Sequence, residues 1–155
     1  MERILIVVER ESQYELATEL IVRLTSFTCK VHVTSSNVDE TWCDRLKHKA
    51  LEWNIPFINP NNFQIFRSGN KKFSLAFFFV YLIGKFSGAN SNFNLGAFLS
   101  LKRQITDNLY HSEKILECCE PEYLLVFEDG IGGPLELISA ARKRNIIVAV
   151  CPYEI

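Results

Sequence analysis

The chain predicts an α/β fold, a three-layer α/β/α sandwich built on a mainly parallel sheet. Short apolar runs of strand length recur at Arg3–Glu9, Cys29–Thr34, Ile55–Ile58, Tyr123–Phe127 and Ile146–Val150. These runs are apolar almost throughout, as strands are when helices cover both of their faces. Stretches with the apolar spacing of helices lie between them, and β-α-β alternation calls for parallel strands joined by right-handed crossovers.

Arg3–Glu9 (RILIVVE) reads as the first buried strand. Ser12 with Glu15 three residues on has the form of a capping box, opening a helix that carries Leu16, Leu20, Val22 and Leu24. The intervening Glu9-Arg10-Glu11 contains no glycine. A dinucleotide fingerprint and a P-loop both need glycine for close phosphate approach, so neither is present after this strand. Cys29–Thr34 is the second strand, and Ser35-Ser36-Asn37 is its exit loop. A helix runs from Thr41 to about Trp53, with Asp39 and Glu40 at its positive end. Pro56 places the short strand Ile55–Ile58 near an edge, and Asn59-Pro60-Asn61-Asn62 forms a turn.

The middle third departs from this alternation. Phe73–Phe86 is an apolar run of about 14 residues, against the roughly 20 needed to span a bilayer. It is either a core helix or an exposed patch, flanked by Lys71, Lys72 and Lys85, suited to a membrane surface or an acyl-chain acceptor. Ser87–Asn94 is a polar loop, and Leu95 to about Cys119 reads as a long helix ended by Glu120-Pro121. After the strand Tyr123–Phe127, Pro134 suits the first position of a helix whose apolar face holds Leu135, Leu137, Ile138 and Ala141. Arg142, Lys143 and Arg144 complement that helix's negative end, and Asn145 closes it before Ile146–Val150.

A length of 155 residues suits one domain, and 48% hydrophobic with 23% charged residues is ordinary for a globular protein. A net charge of −1 argues against a nucleic-acid partner, since phosphate binding needs concentrated Lys and Arg. With Met1-Glu2-Arg3 leading into the first strand no leader is expected, and the five cysteines show no metal-binding spacing. Reduced thiols in a cytoplasmic protein without a metal are expected.

In a parallel sheet, ligands bind beyond the carboxyl ends of the strands. The loop Glu128-Asp129-Gly130-Ile131-Gly132-Gly133 falls there, just before a helix. Glu128 and Asp129 suit a general base or acceptors for sugar hydroxyls, while Gly130, Gly132 and Gly133 let a ligand approach the backbone. The blander alternative has Asp129 making the turn and Glu128 solvated. Glu9, Ser35, Ser36, Asn59 and Glu154 each follow a strand and belong to the same edge. His32 alternates with Val31 and Val33 and packs against a covering helix, whereas His48 and His111 are expected on the surface. Adjacent Cys118 and Cys119 have no basic neighbour to favour a redox role.

The segment Glu120–Phe127, its acidic glycine loop and helix, then Arg144–Val148 and Cys151-Pro152-Tyr153 resembles the end of the N-terminal domain of GT-B glycosyltransferases. Nucleotide-sugar 2-epimerases share that architecture. FTCKVHVTS (Phe27–Ser35) is similar to the second strand of such domains, often Gly-His-x-Val-x-Val-x-Thr. The order of elements fits along the chain, and the motif likeness covers about a third of it. The resemblance departs after the first strand, where the family carries a glycine-rich loop and this chain has Glu9-Arg10-Glu11-Ser12.

The resemblance implies one Rossmann-like domain over residues 1–155, the N-terminal part of a longer two-domain enzyme. Such a domain binds a sugar or lipid-linked acceptor, while a C-terminal domain holds the nucleotide sugar. Glu128 or Asp129 is the expected base, with Glu9 and Glu154 as lesser candidates. No cofactor or catalytic metal is expected, because helix dipoles and side chains neutralise the diphosphate in such folds. By itself the chain is expected to be inactive, and Phe73–Phe86 is a candidate peripheral membrane contact. Two alternatives stand beside this expectation: a nucleotide-sugar epimerase domain, and a non-enzymatic α/β module that binds a ligand or partner.

Overall fold

In the computed structural model five strands pair in parallel: β1 (Arg3–Val7), β2 (Lys30–Thr34), β3 (Phe57–Ile58), β4 (Tyr123–Val126) and β5 (Ile147–Val150). Across the sheet they run β3-β2-β1-β4-β5. The structure describes residues 1–63, 108–127 and 134–151. Phe73–Phe86, the loop Ser87–Asn94 and the start of the long helix expected from Leu95 lie outside them. The described helices are α1 (Tyr14–Ser26), α2 (Glu40–Glu52), α3 (108–119) and α4 (Leu135–Lys143).

Strand register decides which side chains go to which layer. Leu5 of β1 sits opposite His32 of β2 and Leu124 of β4, and the neighbouring Ile4 sits opposite Val31 and Tyr123. Side chains alternate between faces along a strand. Ile4, Ile6, Val8, Val31 and Val33 therefore pack with Ala17 and Ile21 of α1 and Trp42, Leu46 and Ala50 of α2. Leu5, Val7, Leu124 and Val126 pack with Ile115 and Leu116 of α3 and Leu137, Ile138 and Ala141 of α4. Helices thus cover both faces of the sheet. Each large apolar side chain buried this way stabilises the fold by roughly 1.5–3 kcal/mol.

β1 is central, with Leu5 and Ile6 wholly buried. β3 is short and lies at an edge, as Pro56 requires. Of the helix-start signals, Asp39 and Glu40 lie at the start of α2, Pro134 immediately precedes α4 rather than opening it, and Ser12 fails. Asp39 caps α2, its carboxylate accepting the Trp42 N–H at 2.8 Å. Ser12 does not cap α1, because residues Glu11–Gln13 form a single 3-10 turn and α1 begins only at Tyr14. The reason is Gln13, which is buried and whose Oε1 accepts the Glu9 N–H at 2.8 Å. That bond holds the chain in a tight turn where the capping box would have started the helix.

At the other ends, Thr28, Asn54 and Asn145 take left-handed backbone with φ of 61°, 56° and 59°. The next N–H in each case returns to a carbonyl one turn back: Cys29 to Leu24 at 3.4 Å, Ile55 to Ala50 at 3.1 Å and Ile146 to Ala141 at 3.0 Å. These are Schellman closures. Arg144, beside the last of them, ties α4 to α3 by bonding Glu113, with its Nε at 2.8 Å, and Glu117 at 3.2 Å.

Candidate functional site

The strand order reverses between β1 and β4, since β2 and β3 continue on one side and β5 on the other. In an open parallel sheet the crevice at such a switch point, beyond the carboxyl ends, is where ligands bind. Here that position lies between Val8-Glu9 after β1 and Phe127 after β4. Val8 and Phe127 are both buried in the core on the α1 and α2 side of the sheet.

The wall on the β2 side is built by one carboxylate. Glu9 Oε2 accepts from the Ser35 hydroxyl at 2.9 Å and from the Asn37 N–H at 3.3 Å, and its Oε1 accepts from the Ser36 N–H at 2.7 Å. Ser35 is fully buried, and its oxygen also accepts from the Trp42 indole N–H at 2.9 Å and the Asn37 N–H at 3.0 Å. One donor and two acceptor positions exhaust a serine hydroxyl. Ser35 therefore holds the loop together and has nothing left for a ligand. Glu9 keeps about one free acceptor position of the four or so on a carboxylate. Ser36 is half-buried, and its hydroxyl makes no hydrogen bond among the described residues.

Three of the residues expected at this edge, Glu9, Ser35 and Ser36, are therefore brought together. Glu128, Asp129, Gly130, Gly132, Gly133 and Glu154 lie outside the described residues. Asn59 follows β3 as expected, but its side chain is committed to the next turn, accepting the Asn61 N–H at 2.9 Å.

No protein-family model matches this chain, and neither a curated protein nor a solved structure matches it. The chemistry of the crevice therefore rests on its own residues.

Gln13 and Trp42 belong to this network and were not singled out from the sequence. Asp39-x-x-Trp42 does carry a cap signal, but nothing in the spacing says that the indole N–H reaches back to Ser35. Trp42 is fixed by stacking on Tyr14, with ring centroids 5.9 Å apart and planes 14° apart, and Arg45 lies over its ring at 5.6 Å. Trp53 meets Tyr14 edge-on at 5.7 Å and donates its N–H to Thr18 Oγ1 at 2.8 Å. Burial first, and then the nearby Glu11 carboxylate, hold the Tyr14 phenol above its usual pKa. This cluster locks α1 against α2 and so fixes the wall of the crevice.

The histidines lie away from the crevice. His32 is half-buried, and its pKa is held below 6.5 by burial and, secondarily, by the Lys30 ammonium. It is ordinarily neutral, as a packed strand histidine. His48 is exposed, as expected. His111 is buried rather than on the surface, because it lies one turn before Ile115 on the face of α3 that meets the sheet.

All five cysteines are free thiols. Burial pushes Cys43 up to about 11 and Cys119 up to about 12, so both stay protonated. Among the described residues no group of three or more potential ligands is placed to hold a metal, and no helix is long and apolar enough to cross a membrane.

A depression of about 250 Å³ lies between α2 and β3, lined by Lys47, Leu51, Ile55, Phe57, Asn59 and Asn62 among others. It is below the ~300–1,000 Å³ typical of small-molecule sites and sits two strands from the switch point. Position and chemistry both favour the crevice.

Proposed function

We propose that this chain is the acceptor-binding domain of a glycosyltransferase that uses nucleotide-activated sugars, with the donor held by a second domain. The observation that supports this reading is the β3-β2-β1-β4-β5 order, whose switch point lies between β1 and β4, with Glu9 and Ser36 on its β2 side. The sequence continues from β4 directly into Phe127, Glu128 and Asp129. Ser36, with a hydroxyl to offer, and the remaining acceptor position of Glu9 suit the hydroxyl groups of a sugar.

In this reading Glu128 or Asp129 takes the proton from the acceptor hydroxyl as it attacks the anomeric carbon. Glu9 is the lesser candidate, because three donors already occupy its carboxylate oxygens. The test is release of nucleoside diphosphate from a panel of nucleotide sugars by the full-length protein, with and without candidate acceptors. Loss of a general base lowers rates by roughly 10²–10⁴-fold. Glu128→Gln or Asp129→Asn should lower kcat by at least about 100-fold with little change in the donor KM. Full activity in the double variant would overturn the assignment, and tight binding of a nucleotide sugar to the 155 residues alone would overturn the division between domains.

A further inference from the structure

We propose that the Ser36 and Asn37 backbone N–H groups, with the Ser35 hydroxyl, form an anion cradle that Glu9 occupies from within, making Glu9 the residue that turns phosphate-bearing ligands away from this side of the crevice. Three donors converge on one carboxylate at 2.7–3.3 Å. Successive backbone N–H groups pointing into one concavity are a recurrent way to hold phosphate. Here the concavity follows β2 and is closed by a side chain from the segment just after β1.

The cradle is rigid before any ligand arrives. Ser35 is locked by the Trp42 indole, and the Asn37 side chain accepts the Asp39 N–H at 2.9 Å. Glu9 is fixed at its own backbone by buried Gln13. An incoming phosphate would meet a negative charge and find the donors taken. An uncharged hydroxyl meets no such repulsion and can donate to the carboxylate. Which neutral ligand benefits rests on the acceptor reading above, whereas the filled cradle stands on the hydrogen bonds alone.

The test is chemical rescue. Glu9→Ala deletes four non-hydrogen atoms, the number in an acetate ion, and leaves the cradle donors facing the space. With a dissociation constant of about 10 mM, 100 mM acetate should raise the thermal midpoint of the full-chain Glu9→Ala variant by about 4 °C above a chloride control of equal ionic strength. Inorganic phosphate should shift the Ser36 and Asn37 amide resonances of this variant and leave those of the unaltered protein unmoved. Glu9→Gln keeps the space filled by a neutral amide, so acetate should not rescue it.

Equal effects of acetate and chloride on folded Glu9→Ala would overturn the proposal, as would phosphate shifts at Ser36 and Asn37 in the unaltered protein. Should Glu9→Ala not fold in chloride, refolding yield is the readout: a gain with acetate supports the cradle and no gain refutes it. None of these measurements involves sugar transfer, so failure of the glycosyltransferase reading leaves them standing.

Discussion

The left-handed residues that close the helices offer a direct test of how backbone conformation contributes to this fold. Thr28, Asn54 and Asn145 occupy equivalent positions with φ near 60°, yet their side chains differ in what that conformation costs. Left-handed backbone costs an L-residue roughly 1–2 kcal/mol, least for Asn, whose short polar side chain compensates locally. Thr28 is β-branched, which places it at the expensive end. Glycine removes the penalty but loses about 0.5–1 kcal/mol more chain entropy on folding. Thr28→Gly should therefore stabilise the protein by about 0.5–1 kcal/mol, whereas Asn54→Gly and Asn145→Gly should stay within about 0.5 kcal/mol of the starting protein.

The Thr28 hydroxyl donates to the Phe27 carbonyl at 2.6 Å, and any replacement loses that bond. Thr28→Ala is the control, since it also loses the hydroxyl but keeps the Cβ that makes the conformation costly. Urea unfolding, followed by the fluorescence of Trp42 and Trp53, gives each midpoint, and an unchanged slope shows that the effect is on stability. At about 2–4 °C per kcal/mol, Thr28→Gly should also melt roughly 1–4 °C higher. A Thr28→Gly protein no more stable than Thr28→Ala, or one gaining less than Asn54→Gly, would refute the reasoning.

Two further outcomes follow from side-chain burial. The folded-state pKa of His32 lies below 6.5, so the unfolded chain binds the proton more readily, and stability should fall as pH drops through about 6.5. His32→Gln should flatten that part of the stability–pH curve, and an unchanged slope in urea midpoints measured from pH 5 to pH 7.5 would contradict the assignment. Cys118 is exposed while Cys43 and Cys119 are buried and protonated, so an aromatic disulfide reagent at pH 8 should modify Cys118 readily and those two only on unfolding. Loss of a rapid phase in Cys118→Ser, read at 412 nm, checks this, and rapid modification of Cys119 would show that α3 opens easily.

Much of the sheet could be read from composition alone, because strands covered on both faces leave uninterrupted apolar runs. Leu5, Ile6 and Leu124 needed no long-range information to be assigned to the interior. The end of α4 was legible for the same local reason, since Asn145 is one of the few residues that tolerates the left-handed turn it makes. Expectations failed where a side chain's own contacts, rather than its spacing, decide. Ser12 has the spacing of a cap, yet Gln13 is drawn to the Glu9 backbone and the turn is tightened before the helix can start. His111 lies on a helix whose buried face is set by the sheet beneath it, which the helix's own sequence does not reveal.

The crevice shows why the absence of glycine after β1 matters more than a missing motif suggests. A glycine loop at this place keeps the space above the strand open and lets phosphate reach backbone N–H groups. This chain puts a long acidic side chain there instead, and the side chain crosses to β2 to satisfy the N–H groups of Ser36 and Asn37. The same substitution removes the room for a phosphate and supplies its charge. An acidic residue directly after the first strand, followed by a Ser-Ser-Asn loop after the second, can thus be read as a pair. The first supplies the anion and the second supplies the donors. That pairing leaves the Glu9 carboxylate with about one acceptor position to offer a ligand.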